Sequence, residues 1–143
     1  MKLDAIYIAE DICYKNGPLI SPKMIRKFLM PYYSYVIGRA RRRQKRNLYV
    51  LLHSDGDLLP IINPYMEVGF DAMCPWEVAA GNDVVKVGQK YPNLIMSFGG
   101  IDKRILAKDK QAINKHLEYI IPRMLRRGGY IPTCDHGIPA TVS

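Results

Sequence analysis

Leu48-Tyr49-Val50-Leu51-Leu52-His53-Ser54-Asp55-Gly56-Asp57 is an apolar run that stops abruptly in a histidine and two acids. A partly β-branched and aromatic run of this length reads as a buried parallel strand, and its polar end is presented at one rim of a sheet. That rim is where α/β proteins place their chemistry. In an extended backbone His53 and Asp55 point to the same side, with Asp57 next if the extension continues. One imidazole and two carboxylates so placed suit a metal ion or a proton transfer. Ser-Asp-Gly-Asp is also good turn and helix-capping chemistry, so both readings stand on these residues alone.

Working outward, Leu3 to Ile8 reads as a first strand ending in Glu10 and Asp11, and Asn16-Gly17-Pro18 punctuates the loop after it. Ser21-Pro22 marks a helix start, with Met24, Ile25, Phe28, Leu29, Tyr32 and Val36 on one apolar face. Pro31 should kink that helix, and Phe28 and Tyr32 are expected in the core. Beyond the opening stretch, Leu58 to Val68 reads as a short helix interrupted by Pro60 and Pro64. Phe70 to Cys74 reads as a third strand, a helix runs to about Lys90, and Leu94 to Phe98 reads as a fourth strand. A longer helix from about Asp109 to Arg127 should bury Ile113, Leu117, Ile120, Ile121, Met124 and Leu125. Gly128-Gly129 ends it, and Tyr130-Ile131-Pro132 begins a fifth strand.

Strands alternating with helices imply right-handed parallel βαβ units. Each strand hands over to acid or histidine: Glu10 and Asp11; His53, Asp55 and Asp57; Glu77; Asp102; Asp135 and His136. In a parallel sheet these ends share one edge, so an acidic mouth is expected, which suggests a cation. Helix capping is the competing account for Asp83, Asp102 and Asp57. His116 is expected on a solvated helical face, and Trp76 either walls the mouth or lines the core.

The chain has 143 residues and a formal net charge of +8, about one domain by length. The excess is concentrated in Arg39, Arg41, Arg42, Arg43, Lys45 and Arg46. At a helix end this run complements the helix dipole, and without interleaved aromatics it disfavours a nucleic-acid surface. Three scattered cysteines with no C-x-x-C pair argue against a disulfide framework or zinc knuckle and make a reducing, cytoplasmic setting the default. No run of about 18 apolar residues is present, so membrane spanning is not expected.

Asn16-Gly17-Pro18-Leu19-Ile20-Ser21-Pro22, His53-Ser54-Asp55-Gly56-Asp57, Glu77-Val78-Ala79-Ala80-Gly81, Gly99-Gly100-Ile101-Asp102 and Gly128-Gly129-Tyr130-Ile131-Pro132 with Asp135-His136 resemble the uroporphyrinogen decarboxylase superfamily, in the family's order. The resemblance implies an α/β chain of about five parallel strands alternating with helices, the C-terminal half of a (β/α)8 barrel, with residues 1–143 as one partial domain. It also implies one of two chemistries. Decarboxylases of the family, in porphyrin biosynthesis, work without a cofactor. Their functional positions would fall at Asp11, where they have serine, and at His136, while their substrate-binding arginines belong to the N-terminal half. The other branch comprises methyltransferases that use zinc to activate a thiol and take a methyl group from a corrinoid protein. Their ligands are a His-x-Cys pair and a later cysteine. Here His53 matches, Asp55 stands at the first cysteine, and His136 stands near the second, with Cys134 as alternative ligand.

An acidic mouth repels a polycarboxylate porphyrinogen and attracts a divalent ion, since a charge pair at about 4 Å is worth roughly 4 kcal/mol at an effective dielectric near 20. This favours a metal site of His53, Asp55 and His136, with Glu77 supporting the ligands or acting as acid and base, over decarboxylation. A half-barrel also has two unpaired edges. The chain is expected to self-associate, to be completed by a separate N-terminal half, or to be an inactive truncated product.

Overall fold

A computed structural model describes residues 2–44, 47–140 and 142. Lys45 and Arg46 of the basic run lie outside the described residues. The elements in order are β1 (Ala5–Ala9), β2 (Cys13–Tyr14), β3 (Gly17–Pro18), α1 (Pro22–Phe28), α2 (Met30–Arg43), β4 (Tyr49–His53), α3 (Ile62–Glu67), β5 (Ala72–Cys74), a 3-10 turn (Val78–Ala80), α4 (Val84–Lys90), β6 (Ile95–Met96), β7 (Gly100–Ile101), α5 (Lys103–Leu106), α6 (Lys110–Arg127) and β8 (Thr133–Cys134).

The apolar runs pair as a parallel sheet in the order β1-β4-β5-β6, the arrangement expected of half a (β/α)8 barrel. Ala9 lies opposite His53, and His53 opposite Cys74, so three strand ends meet at one rim. The expected fifth strand is bent. Tyr130 bridges to Met96, after which β8 leaves β6 and pairs in parallel with β7, Gly100 opposite Thr133. Gly100 and Ile101, just past the fourth strand, are therefore also paired. So is the loop around Asn16, where β2 and β3 form an antiparallel hairpin.

Strand alternation sorts the side chains. Val50, Leu52, Met73 and Met96 face the helices and are fully buried against Ile25, Ile62, Val87 and Met124. The other face carries Ala5, Tyr7 and Ala9 of β1 and Tyr49 of β4, all exposed. The first helix breaks rather than kinks: Ser21 caps α1 through the Met24 N–H, and α2 starts at Met30 with Pro31 in its first turn. Pro31 has no N–H, and at the opening of a helix none is needed.

The buried face of this pair is Ile25, Met30 and Ile37, not the expected one: Phe28 is 51% exposed and Tyr32 73%. The break at Leu29 rotates α2 relative to α1, so a stripe counted through Pro31 does not stay on one side. Tyr33 is the aromatic that packs inward, edge-on to Phe70 with ring centroids 5.3 Å apart. On α6, Ile120 and Met124 are buried as expected, whereas Leu125 is 60% exposed. Met124 lies against Gly88 of α4, and Leu125 lies 100° round from Met124.

Arg41 departs from the solvated role expected of the basic run. Its guanidinium donates to the Leu48 and Gly69 carbonyls and to Asp71 at 2.7 Å, and the same Asp71 oxygen accepts the Val50 N–H. The clamp ties the end of α2 to the starts of β4 and β5. Arg127 does the same at the other end of the sheet, donating to the carbonyls of Gly88, Tyr91 and Leu94. Among the described residues no helix is long and apolar enough to cross a membrane.

Candidate functional site

Parity decides which of the strand-end groups reach the rim. Even positions at the end of β1 face the helices, so Glu10 turns away from the mouth, and its Oε2 accepts from Tyr33 at 2.6 Å and Tyr65 at 2.8 Å. Burial first, and then the Glu10 carboxylate, hold both phenols above the usual tyrosine range. Asp57 accepts the Leu59 N–H, Asp83 the Val85 and Lys86 N–H groups, and Asp102 the Arg104 N–H. These three are turn and capping groups, as the competing account had it. Asp135 is fully buried, one oxygen accepting the Val78 N–H and the other the Lys103 N–H. The mouth is therefore smaller than the sequence suggested.

The residues that converge are Asp11, His53, Asp55, Glu77 and His136. Asp11, Asp55, Glu77 and His136 line an open cavity of about 340 Å³ together with Cys13, Tyr14, Lys15 and Gly56, the hairpin β2–β3 forming one wall. Asp11, His53 and Asp55 each offer one ligand atom within 4.8 Å of the other two, and among the described residues no other trio does so. His53 Nε2 lies 3.6 Å from Asp55 Oδ1, and His136 Nε2 lies 3.7 Å from Asp55 Oδ2. Asp55 thus sits between two imidazoles. Its Oδ1 is buried and has no hydrogen-bond partner.

Hydrogen-bond direction sharpens this geometry. A backbone carbonyl only accepts, so the 2.9 Å contact between His136 Nδ1 and the Asp135 carbonyl uses an Nδ1–H. Nε2 is then the ring nitrogen that faces the Asp55 carboxylate, 3.7 Å from Oδ2. Zinc takes histidine nitrogen and carboxylate oxygen at about 2.0–2.2 Å in a tetrahedral array, which sets neighbouring donors about 3.4 Å apart. The 3.6 Å from His53 Nε2 to Asp55 Oδ1 fits that spacing.

The grouping differs from the expected ligand set in one place: Asp11, read as a catalytic position, takes the third place beside His53 and Asp55. His136 reaches the group through the second oxygen of Asp55. Cys134 is half-buried on β8 and is not brought into the trio. Cys13 and Cys74 are buried as expected, and burial pushes the Cys13 thiol up to about 11, so it stays protonated. Trp76 is fully buried, its indole donating to the Met73 carbonyl at 2.8 Å; of the two readings it takes the core. His116 is not a solvated side chain: its Nε2 accepts the Asp102 N–H at 3.0 Å.

Two residues the sequence reading passed over position the site. Asn82 is fully buried; its Oδ1 accepts the Leu58 N–H, and its amide donates to the carbonyls of Gly56 at 2.8 Å and Glu77 at 2.9 Å. It stitches the loop after β4 to the loop after β5. Gly56 has φ +86°, and a Cβ there would lie 2.4 Å from the Tyr14 backbone. The loop and the hairpin therefore touch backbone to backbone, the Asp57 N–H donating to the Tyr14 carbonyl. The glycine was visible in the sequence, but its contact with Tyr14 was not.

Residues 3–143 match the family model described as uroporphyrinogen decarboxylase (URO-D). A curated protein from Hydrogenobaculum sp. (strain Y04AAS1), named uroporphyrinogen decarboxylase, is 34% identical over 83 residues, which is 57% of this chain and 22% of that protein. The matched stretch is thus less than a quarter of the relative's length. No solved structure matches the chain. With nearly every residue inside the family model, the parallel strands and the shared rim have one reading: the chain belongs to the uroporphyrinogen decarboxylase (URO-D) family.

Proposed function

We propose that the rim binds a divalent cation, and that the chain is part of an enzyme of this family that transfers a methyl group from a methylated corrinoid protein to a thiol or related acceptor. The observation that carries the reading is Asp55, a carboxylate between two imidazoles with one oxygen buried and unpartnered. An ion bound there supplies Lewis acidity, lowering the pKa of a thiol or water at an open position. Asp11, His53 and Asp55 hold it. His136 braces Asp55 through its second oxygen, and Glu77, on the same cavity, is placed to take the proton released by the acceptor. A metal centred on two carboxylates and a histidine in place of thiolates keeps zinc-competent donors and admits harder divalent ions as well.

Decarboxylation is the second reading, favoured by the name of the Hydrogenobaculum relative. In it Asp11 and His136 act on a porphyrinogen without metal. Asp11, Asp55 and Glu77 around one cavity weigh against it, because they repel a polycarboxylate substrate. Either chemistry is proposed for a completed barrel. The exposed face of β1 and β4 supports a partner there, an N-terminal half-barrel or a second copy, and a corrinoid protein would approach the rim.

The test is zinc content and zinc affinity of the wild type, His53→Ala and Asp55→Asn, followed by methyl transfer from methylcobalamin to a thiol. About one zinc per chain in the wild type, lost in both variants, is the expected result. A metal-free wild type that decarboxylates a porphyrinogen in the presence of a chelator would overturn the proposal in favour of the second reading.

A further inference from the structure

Between residues 12 and 54 the chain carries ten Lys and Arg and no Asp or Glu, whereas the remainder holds eleven against thirteen acids. Two of the ten are neutralised inside the fold, Arg26 by Glu67 at 2.8 Å and Arg41 by Asp71 at 2.7 Å. Lys23, Lys27, Arg39, Arg42 and Arg43 are exposed and form no ion pair among the described residues. We propose that the outer face of α1 and α2 docks the chain on a membrane surface rich in anionic phospholipid.

What α2 shows to solvent follows from its pitch. At 100° per residue, Tyr32, Val36, Arg39 and Arg43 fall within about 60° of one another and about 140° round from Met30 and Ile37, whose side chains are buried in the core. Arg41 lies on the inner side, and it is the arginine drawn into the clamp on Asp71. The tyrosines and arginines of α2 are separate in sequence, yet they share one face. Met24 and Phe28 of α1 are exposed as well, and with Tyr32, Tyr35 and Val36 each is at least 44% accessible. The α2 stripe looks away from the sheet, so a partner that extends the sheet at the β1 edge leaves it uncovered.

The chemistry of this surface selects what it meets. Five unpaired cations on a helix pair call for a polyanion. Single-stranded nucleic acid stacks its bases on aromatic rings along a groove, whereas this face is convex and sets Val36 among its rings. Phospholipid matches each part: apolar side chains reach the acyl boundary, tyrosines sit at headgroup level and arginines fork onto phosphate oxygens. Two of the cations already lie along the rings. Lys27 Nζ is 5.0 Å from the centroid of Phe28, and the Arg39 guanidinium donates to the Tyr35 hydroxyl at 3.3 Å. Side chains that lay their stems on apolar surface keep the charge at its edge, as they do at a membrane interface.

The experiment is flotation of the full chain with vesicles through a density gradient, in which self-associated protein sinks and vesicle-bound protein rises. Wild type should float with equimolar phosphatidylglycerol and phosphatidylcholine and stay down with phosphatidylcholine alone. It should be released in about 1 M salt, where the Debye length is about 3 Å. A basic side chain near an anionic surface is worth about 5-fold in affinity, so a triple variant, Arg39→Gln with Arg42→Gln and Arg43→Gln, should bind about 100-fold more weakly. Tyr32→Ser combined with Val36→Ser should weaken binding at least several-fold. All five positions are exposed, so thermal melts should be unchanged. In Tyr32→Trp the added indole should shift its emission to the blue on anionic vesicles, while Trp76, already fully buried, stays constant. No flotation with anionic vesicles, or equal flotation with neutral ones, overturns the proposal. Binding that the Tyr32 and Val36 changes leave untouched, with no blue shift, overturns it too, in favour of adsorption by charge alone. A single-stranded oligonucleotide bound more tightly than vesicles, and lost in the triple variant, would assign the face to nucleic acid instead.

Discussion

At the scale of single residues, the site depends on groups that touch no substrate. Asn82 makes three hydrogen bonds in a fully buried position. Asn82→Ala removes the partner of the Leu58 N–H and of the Gly56 carbonyl, while the Glu77 carbonyl still accepts the backbone N–H groups of Ala80 and residue 82. At about 1–3 kcal/mol for a buried group left unmade, the variant should lose about 2–4 kcal/mol in urea unfolding, and zinc affinity should fall with it because the Asp55 loop is no longer tied to Glu77. Gly56 carries a different constraint. Its positive φ and the 2.4 Å approach to Tyr14 mean that Gly56→Ala should cost about 2 kcal/mol or more, read by the same denaturation curve. A loss below about 0.5 kcal/mol in either variant would show that these loops are held by something else.

At the scale of elements, the α1–α2 pair shows how a helix break reassigns a face. Tyr32→Ser, on the solvent side, should change stability by less than about 0.5 kcal/mol. Ile25→Ala, on a fully buried side chain of the same pair, should cost about 2–5 kcal/mol. Comparable losses in the two variants would mean that the exposed ridge is covered in solution. The start of α5 gives a pH handle. Asp102 accepts the backbone N–H and the guanidinium of Arg104, at 2.9 Å and 2.7 Å, and the Arg104 side chain holds its carboxyl below the ordinary value near 3.8. A depressed acid contributes stability that is fully present above its unfolded-state value and lost as pH falls through the folded one. In thermal melts the Arg104→Met variant should therefore lose stability relative to wild type above about pH 5, and the two should converge toward about pH 2. Arg104 is more than half exposed, so added salt should narrow the difference.

At the scale of the whole molecule, β1 pairs with β4 on one side, and the inner face of these strands shows Tyr7 and Tyr49 to solvent. An edge strand with an apolar face is a template for pairing. The isolated chain should show concentration-dependent association in sedimentation velocity, and Tyr49→Glu, which places a charge on that face, should reduce it at least several-fold. A monomer at all concentrations would remove self-association as a way of covering the face.

Alternating apolar runs, glycine and proline punctuation and the acids that close each strand were enough to read parallel β-α units and to gather His53, Asp55, Glu77 and His136 among the strand-end groups, while Asp11 was picked out from Glu10 beside it only by the family resemblance. Local rules govern those features: period, capping and turn chemistry act over a few residues. What the sequence did not yield were Glu10 turned toward Tyr33 and Tyr65, the Arg41 clamp on Asp71, the buried Asn82 stitch and Tyr7 against His53. Each depends on register between strands or on packing between elements 20 or more residues apart, as with Tyr7 and His53, whose separation is 46 residues. Only the tertiary structure decides such contacts, because a shift of one residue in the pairing of β1 with β4 would carry every one of their side chains to the opposite face.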